Sequence, residues 1–364
     1  MNPFRMLSPL PLSLNSTLGI QTCINNDDRL YFSQKIVKEQ NMNYKKWVGI
    51  DVSKDSLDIS IFDGNNHLMS KIKNERNSIL SFFKKFKSKS RIHSIMEATG
   101  IYHKRLSVCL FQLGIDFSVV NPYIIKKYAE MKMLRAKTDS VDARLIAEFG
   151  FTHKPDLYKF PPKEQEDIFK LIKVMNAFQC EITSFNNRLK AEIASSVGNA
   201  IIIKEYKRII ANMKKSIEKI EKEMHILVKV HYDIIYNKLI KIPGVADKTA
   251  SVIIGYFGKF EEFETAKQVV SFVGLNPNPR QSGKSVNKGS NISKRGNPLL
   301  RKKLYMSAIS AAHYNPNCMA LYERLLNKGK SKVKALVAVA HKLLRQIFAV
   351  VKFEREWENN YISK

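Results

Sequence analysis

From residue 44 onward the apolar positions fall into short periodic runs. "WVGIDV" and "LDISIF" are rich in β-formers, and Asp63-Gly64-Asn65-Asn66 makes a turn before "HLMSKIK", so a meander of three strands is expected. "NSILSFFKKFKS" carries Ile79, Phe82, Phe83 and Phe86 at the spacing of an amphipathic helix. "RIHSIME" reads as a short strand, "GIYHKRLSVCLFQLG" as a helix ending at Gly114, and "IDFSVVNP" as a strand stopped by Pro122. "TDSVDARLIAEFG" opens on Thr138 as a helix N-cap and closes on Gly150. Three strands followed by helix, strand, helix, strand and helix predict a mixed sheet flanked by helices, an α/β unit over residues 44–155.

The period then changes. Ile168, Leu171, Met175, Phe178, Ile182, Phe185 and Leu189 follow a 3-4 spacing, and after a break at "SSVGN" Tyr206, Ile210, Met213, Ile217, Ile220, Met224 and Leu227 repeat it. Each run is about three heptads long, so residues 160–232 are expected to form an antiparallel coiled-coil hairpin that projects or dimerises. The plainer alternative is a pair of helices packed inside one globule. Residues 236–356 read as a mainly helical C-terminal unit with one Gly/Asn/Ser/Lys-rich interruption, "PNPRQSGKSVNKGSNISKRGNP". Residues 1–43 differ from all of this. "LSPLPLSLNSTLG" has no period, and Pro9 and Pro11 break its apolar stretch, which disfavours a signal peptide. The expectation is a disordered extension or a misplaced start codon, with the folded protein beginning near Met42.

Composition narrows the class of partner. Of 364 residues, 61 are Lys or Arg and 33 Asp or Glu, a net charge of +28. An excess of that size points to a polyanion, nucleic acid above all. No apolar run approaches the roughly 18–20 residues of a membrane span, so no membrane partner is expected. Cys23, Cys109, Cys180 and Cys318 stand far apart without a CxxC, which reads as small buried hydrophobes rather than a zinc ribbon or disulfide framework. There is no Walker loop, and the histidines lack metal-ligand spacing. His313-Tyr314 and "HKLLR" have the wrong order for a tyrosine recombinase.

Four carboxylates stand where chemistry needs them. Asp51 lies in the first strand, with Ile50 and Val52 pointing to the opposite face; Glu97 ends a second strand; Asp139 and Asp142 are three apart at a helix start. Carboxylates brought together repel one another, and a divalent cation relieves the repulsion. Oxygen-only ligands favour Mg²⁺ or Mn²⁺ over zinc, and two such ions about 3.5–4 Å apart clamp a phosphodiester. "IPGVADKTA" fits a helix–hairpin–helix, with Gly244 in the turn and Lys248 at the following helix start, a geometry that offers backbone N–H groups to a phosphate. Residues 278–303 contain Arg280, Lys284, Lys288, Lys294, Arg295 and Arg301 and no acid, a basic loop suited to a nucleic-acid backbone. Among its serines, Ser282, Ser285, Ser290 and Ser293, the plain role is phosphate hydrogen bonding, and the sharper one is a phosphoryl nucleophile.

Together, "WVGIDVSKDSLDISIF", "MEATGIYHKRL", "VVNPYIIKKYAEMKMLRAKTDSVDARLIAEF", "IPGVADKTASVI" and "FVGLNPNPRQSGKS…ISKRGNPLLRKKLY" give a chain that resembles the DEDD transposases of bacterial insertion sequences, the IS110 type, which act as bridge-RNA-guided DNA recombinases. The resemblance spans about residues 44–356. It implies an RNase H-like, RuvC-type domain, a coiled-coil segment and a C-terminal transposase domain, with Asp51, Glu97, Asp139 and Asp142 as the metal-binding tetrad. It also implies a catalytic serine, placed at Ser282, with Ser285 and Ser293 as fallbacks. The implied activity is cutting and rejoining of DNA at an insertion sequence, with a structured guide RNA choosing the site. Recombination cuts at least two strands, so a dimer or tetramer is expected. The implied location is the bacterial cytoplasm, with nucleoid association when DNA is bound. A RuvC-like hydrolytic junction nuclease would use the same tetrad without a serine, and a non-catalytic binding remnant would have lost the tetrad.

Overall fold

The computed structural model describes residues 44–358 apart from 87–90, 99, 134–138, 196, 283–285 and 294–295; the side chains of 139–141, 278–282 and 286–291 also lie outside the description. The expectations for the N-terminal extension, for Cys23 and for the Thr138 N-cap fall on residues outside it.

Strands β1 (Lys46–Val52), β2 (Ser56–Phe62) and β3 (His67–Lys73) form the expected meander. Helix α1 (Arg76–Lys84), strand β4 (Ile92–Glu97), helix α2 (His103–Gln112) and strand β5 (Asp116–Val120) follow. The sheet order is β3-β2-β1-β4-β5, antiparallel among the first three and parallel from β1 through β4 to β5. Alternation along the central strands gives each face its own core. Val48, Ile50, Leu57 and Ile59 pack with Ile79, Phe83, Leu106 and Leu110 of α1 and α2. Trp47, Ile95 and Val120 pack on the other face with Ile125, Tyr128, Leu145, Ile146 and Phe149.

That second face is covered by α3 (Pro122–Met131) and α4 (Asp139–His153). Pro122 stops β5 as expected and is also the first residue of α3, a helix the apolar pattern does not predict. Asn121 caps it by accepting the Tyr123 N–H at 2.8 Å, and a proline at the first helical position lacks only a donor the helix would not use there. Gly150 does not end α4, which runs on to His153. Its missing side chain makes room for the sheet, since a Cβ there would lie 2.3 Å from Ile95 Cδ1.

Gly49 seats the same helix on the sheet. A Cβ at Gly49 would lie 2.2 Å from the Ala143 carbonyl oxygen and 2.3 Å from the Ala147 nitrogen, both backbone atoms that cannot rotate away. Gly49→Ala should therefore destabilise the α/β unit by about 1–3 kcal/mol through overpacking. Urea unfolding checks this; an unchanged midpoint would mean α4 yields freely.

His93, on the α4 face of β4, adds a pH dependence. Its Nε2–H donates to Ser118 Oγ at 2.7 Å, and Ser118 donates in turn to the Asp156 carbonyl at 2.6 Å. Nδ1 is buried without a partner among the described residues. Burial pushes the imidazole pKa down to about 4. The unfolded chain protonates near pH 6.5, so between the two values the unfolded state holds more protons and acid favours it. Stability should be complete above about pH 6.5 and decline toward pH 4 by up to about 3 kcal/mol. His93→Gln should flatten that limb of a denaturation-versus-pH profile.

Helices α5 (Lys163–Ala194) and α6 (Ala200–Ile240) part at the expected break, and α6 bends at Tyr232 (φ −134°, ψ 24°). The lower parts of both helices share one core with the C-terminal helices. Ile168, Ile172, Met224, Val228 and Leu239 are buried with residues of α7 (Asp247–Phe257), α8 (Ala266–Val273), α9 (Pro298–Tyr314) and α11 (Lys332–Lys352). Ile217 and Ile220, which the heptad pattern placed on a seam, pack against that same core within the chain. Helix α10 (Pro316–Asn327) joins α9 to α11. The basic interruption contains a two-stranded antiparallel hairpin, β6 (Pro277–Ser282) and β7 (Val286–Ile292), with Ser282 paired to Val286. Its base is fixed to the helical unit: Ser293 N–H donates to Asn276 O at 2.8 Å and Asn297 N–H to Phe272 O at 3.1 Å. Cys109 and Cys318 are buried as expected; Cys180 departs, lying exposed on α5. Among the described residues no helix is long and apolar enough to cross a membrane.

Candidate active site

The site is assembled by register. β1 and β4 run parallel, and Ile50 pairs with Met96, so the next residues, Asp51 and Glu97, are neighbours on one face at the C-terminal ends of their strands. Both are half-buried. Gly49 and Trp47 share the face of Asp51, and these two residues orient α4. Phe151 meets the Trp47 ring edge-on at 4.7 Å, and Ala143 and Ala147 lie over Gly49. Helix α4 thus runs antiparallel to β1, with its N-terminus toward Asp51. From Gly49 to Asp51 is about 6.6 Å along the strand. Four to five helical residues cover the same rise at about 1.5 Å each. That step carries α4 from Ala143–Ala147 back to the stretch from Asp139 to Asp142, level with Asp51. Asp142 is half-buried there; Asp139 opens the helix, and its side chain lies outside the described residues.

Hydrogen bonds hold the strand ends in place. Ser53 Oγ accepts the Ser56 N–H at 3.1 Å and closes the β1–β2 turn, Asn74 Nδ2 donates to Ser53 O at 2.8 Å, and Ala98 N–H donates to Val120 O at 3.0 Å. One acid at this level went unmarked in the sequence. Asp58, on β2, pairs directly opposite Asp51 of β1 and forms an ion pair with Lys71 at 2.9 Å. Among the described residues no three His, Cys, Asp or Glu side chains are gathered tightly enough to hold a metal ion. Asp51, Glu97 and Asp142, each half-buried, nonetheless offer carboxylate oxygens, the donor chemistry that suits Mg²⁺ or Mn²⁺.

The expected nucleic-acid contacts lie on the C-terminal unit. Arg280 and Lys288 are paired across the hairpin, and Ser282 ends β6 at the tip. Lys284, Ser285, Lys294 and Arg295 lie outside the described residues. Arg301 is occupied in building the loop: its guanidinium donates to Val273 O at 2.9 Å and to Gly296 O at 2.7 Å, and burial holds its pKa below the usual value. Gly244 takes φ +98° in the turn between α6 and α7, and a Cβ there would meet Ala311 at 2.6 Å. Lys248 pairs with Glu221 of α6 at 2.7 Å. Asp247 in the first turn of α7 accepts the Tyr236 hydroxyl at 2.5 Å. Ser282 and the acids belong to separately packed units, since the buried cluster of the helical unit is distinct from the two sheet-face clusters.

Three antiparallel strands followed by two parallel ones in the order 3-2-1-4-5, with acids at the ends of the two central strands, define an RNase H-like protein. Residues 48–195 match the model of the DEDD transposase of IS110 type, and residues 236–323 match that of the transposase IS116/IS110/IS902 family. The chain belongs to this family of transposases. It is 28% identical over 323 residues to the pilin gene-inverting protein of Moraxella lacunata, covering 86% of this chain and 98% of the relative. It is 25% identical over 270 residues to the transposase for insertion sequence element IS1111A of Coxiella burnetii, covering 66% of this chain and 72% of that one. Among solved structures, Thermus thermophilus RuvC in complex with Holliday junction substrate aligns with a TM-score of 0.25 at 11% identity, covering 32% of this chain and 100% of RuvC.

Proposed function

We propose that this transposase cuts and rejoins DNA at the ends and target of an insertion sequence, with Asp51, Glu97, Asp139 and Asp142 holding Mg²⁺ or Mn²⁺, Ser282 as nucleophile, and a structured RNA choosing the site. The observation that carries the reading is the register that sets Asp51 beside Glu97 beneath the N-terminus of α4, where the other two acids lie. A bound divalent cation supplies charge neutralisation at the scissile phosphate. Ser282 Oγ attacks phosphorus; the Oγ–P bond forms, the bond to the leaving DNA oxygen breaks, the serine proton passes to solvent and the leaving oxygen takes one up. Attack by a DNA hydroxyl on the phosphoserine reverses the exchange, restores the serine and needs no ATP. The chain divides by role into a RuvC-like unit over 44–155, a helical hairpin over 160–232 and a transposase unit over 236–356. Because Ser282 stands on the last of these, the transposase unit docks on the RuvC-like unit of its own chain or of a second copy, in a dimer or tetramer. The hairpin lysines and arginines grip the backbones of DNA and RNA.

A reconstituted reaction tests this. Purified protein, a plasmid carrying the element and the RNA transcribed beside it should yield circular element DNA with Mg²⁺ and none with chelator. Ribonuclease treatment before mixing should abolish it. Product formed in the presence of chelator would remove the metal from the reading, and product after ribonuclease would remove the guide.

A further inference from the structure

The row of acids contains one cation. Asp58 pairs with Asp51 on one side and with Lys71 on the other, so Lys71, Asp58, Asp51 and Glu97 stand on four consecutive strands, on the same face and at one level. Neighbouring strands are about 4.8 Å apart, which places the Lys71 backbone about 10 Å from that of Asp51. The Lys71 ammonium lies 2.9 Å from the Asp58 carboxylate. The two ends of the pair differ in exposure: the Asp58 side chain is 15% exposed and that of Lys71 61%. Arg144, exposed on α4, has its Nε 3.5 Å from Met69 Sδ, one same-face position below Lys71 on β3.

We propose that Lys71 contacts a DNA backbone phosphate flanking the one that is cut, and that Asp58 is its positioning residue and not a metal ligand. The inference rests on the active-site reading above. A cluster of carboxylates repels a phosphodiester backbone, so a strand laid across it requires cations beside the acids. On the β2–β3 side, Lys71 and Arg144 form that edge. A partly exposed ion pair adds little stability, so the stability it contributes does not account for the arrangement. Asp58 directly opposite Asp51 is a like-charge cross-strand pair, an unfavourable one. Lys71 offsets that repulsion, and Asp58 in turn fixes a long, flexible side chain at the rim.

Amine acylation read by mass spectrometry tests the proposal on the full chain, with and without a mixed-sequence DNA duplex. Lys71 should acylate several-fold more slowly when DNA is bound, and Asp58→Asn should remove most of that protection. Lys71→Met should make the slope of log affinity against log salt shallower by about 0.9, the share of one phosphate contact, and Lys71→Arg should restore it. Equal acylation of Lys71 with and without DNA, or an unchanged slope in Lys71→Met, overturns the proposal. The underlying reading fails separately: Asp51→Ala should keep Lys71 protected while losing cleavage. If Asp51→Ala still cut DNA, the active-site assignment would fall, even with Lys71 protection intact.

Discussion

Asp51→Ala should abolish DNA cleavage and leave the protein folded. The two halves of this expectation come from one fact of register. Asp51 faces Glu97 across β1–β4 and Asp58 across β1–β2. For catalysis, removing a carboxylate proposed to hold the cation would forfeit several kcal/mol of charge stabilisation in the transition state, roughly 10³-fold in rate or more. For folding, the same change deletes a like charge directly opposite Asp58, so it should leave the α/β unit folded. DNA binding should hold or tighten, because negative charge leaves the surface that the backbone approaches. A cleavage assay beside a thermal melt reads both halves. An acid with a purely structural role gives the reverse pattern: a lower melting temperature with activity falling in proportion. Glu97→Gln should behave as Asp51→Ala does, since the amide keeps the shape and loses the charge.

The sequence exposed this site unevenly, for physical reasons. Asp51 and Glu97 were visible because each interrupts an apolar strand, where a carboxylate is costly unless something uses it. Asp58 carries no such mark. In "SLDISIF" it sits at an alternate position near a strand start, where a solvent-facing acid is ordinary, and only pairing with β1 shows it beside Asp51. Pro122 does stop β5, but the helix α3 that it opens behind the Asn121 cap has no mark in the apolar pattern. Gly150 reads as a helix end, yet it makes room for Ile95 and α4 runs on to His153. The β6–β7 hairpin escaped because strands of Asn, Gly, Ser, Lys and Arg have no apolar period to betray them; backbone pairing and a fixed base define them instead. The heptads of α5 and α6 were legible as helix, but heptads do not tell an intermolecular seam from a core, and Ile217 and Ile220 pack within the chain.

The hairpin also separates two of the serines that composition left equivalent, Ser282 and Ser293. Ser282 pairs with Val286 at the tip, whereas Ser293 follows Ile292 at the base, tied through its N–H to Asn276. The seven residues from Val286 to Ile292 span about 20 Å of strand, so Ser282 and Ser293 cannot serve one phosphate in a single docked geometry. A hairpin anchored at its base against α8 and α9 presents its tip, and in the proposed mechanism docking of the transposase unit on the acids would bring Ser282 to the scissile phosphate. Ser282→Ala should therefore eliminate the covalent protein–DNA adduct and all recombination. DNA binding should stay near wild type, because the basic hairpin residues are untouched. Ser293→Ala should keep the adduct, and so should Ser285→Ala. Labelled DNA incubated with Mg²⁺ and protein, then run under denaturing conditions, shows the adduct as a band retarded by the mass of the chain. An adduct that persists in Ser282→Ala moves the nucleophile elsewhere. Efficient cleavage by wild type with no adduct, even when rejoining is blocked, would make water the attacking group and the protein a hydrolytic nuclease.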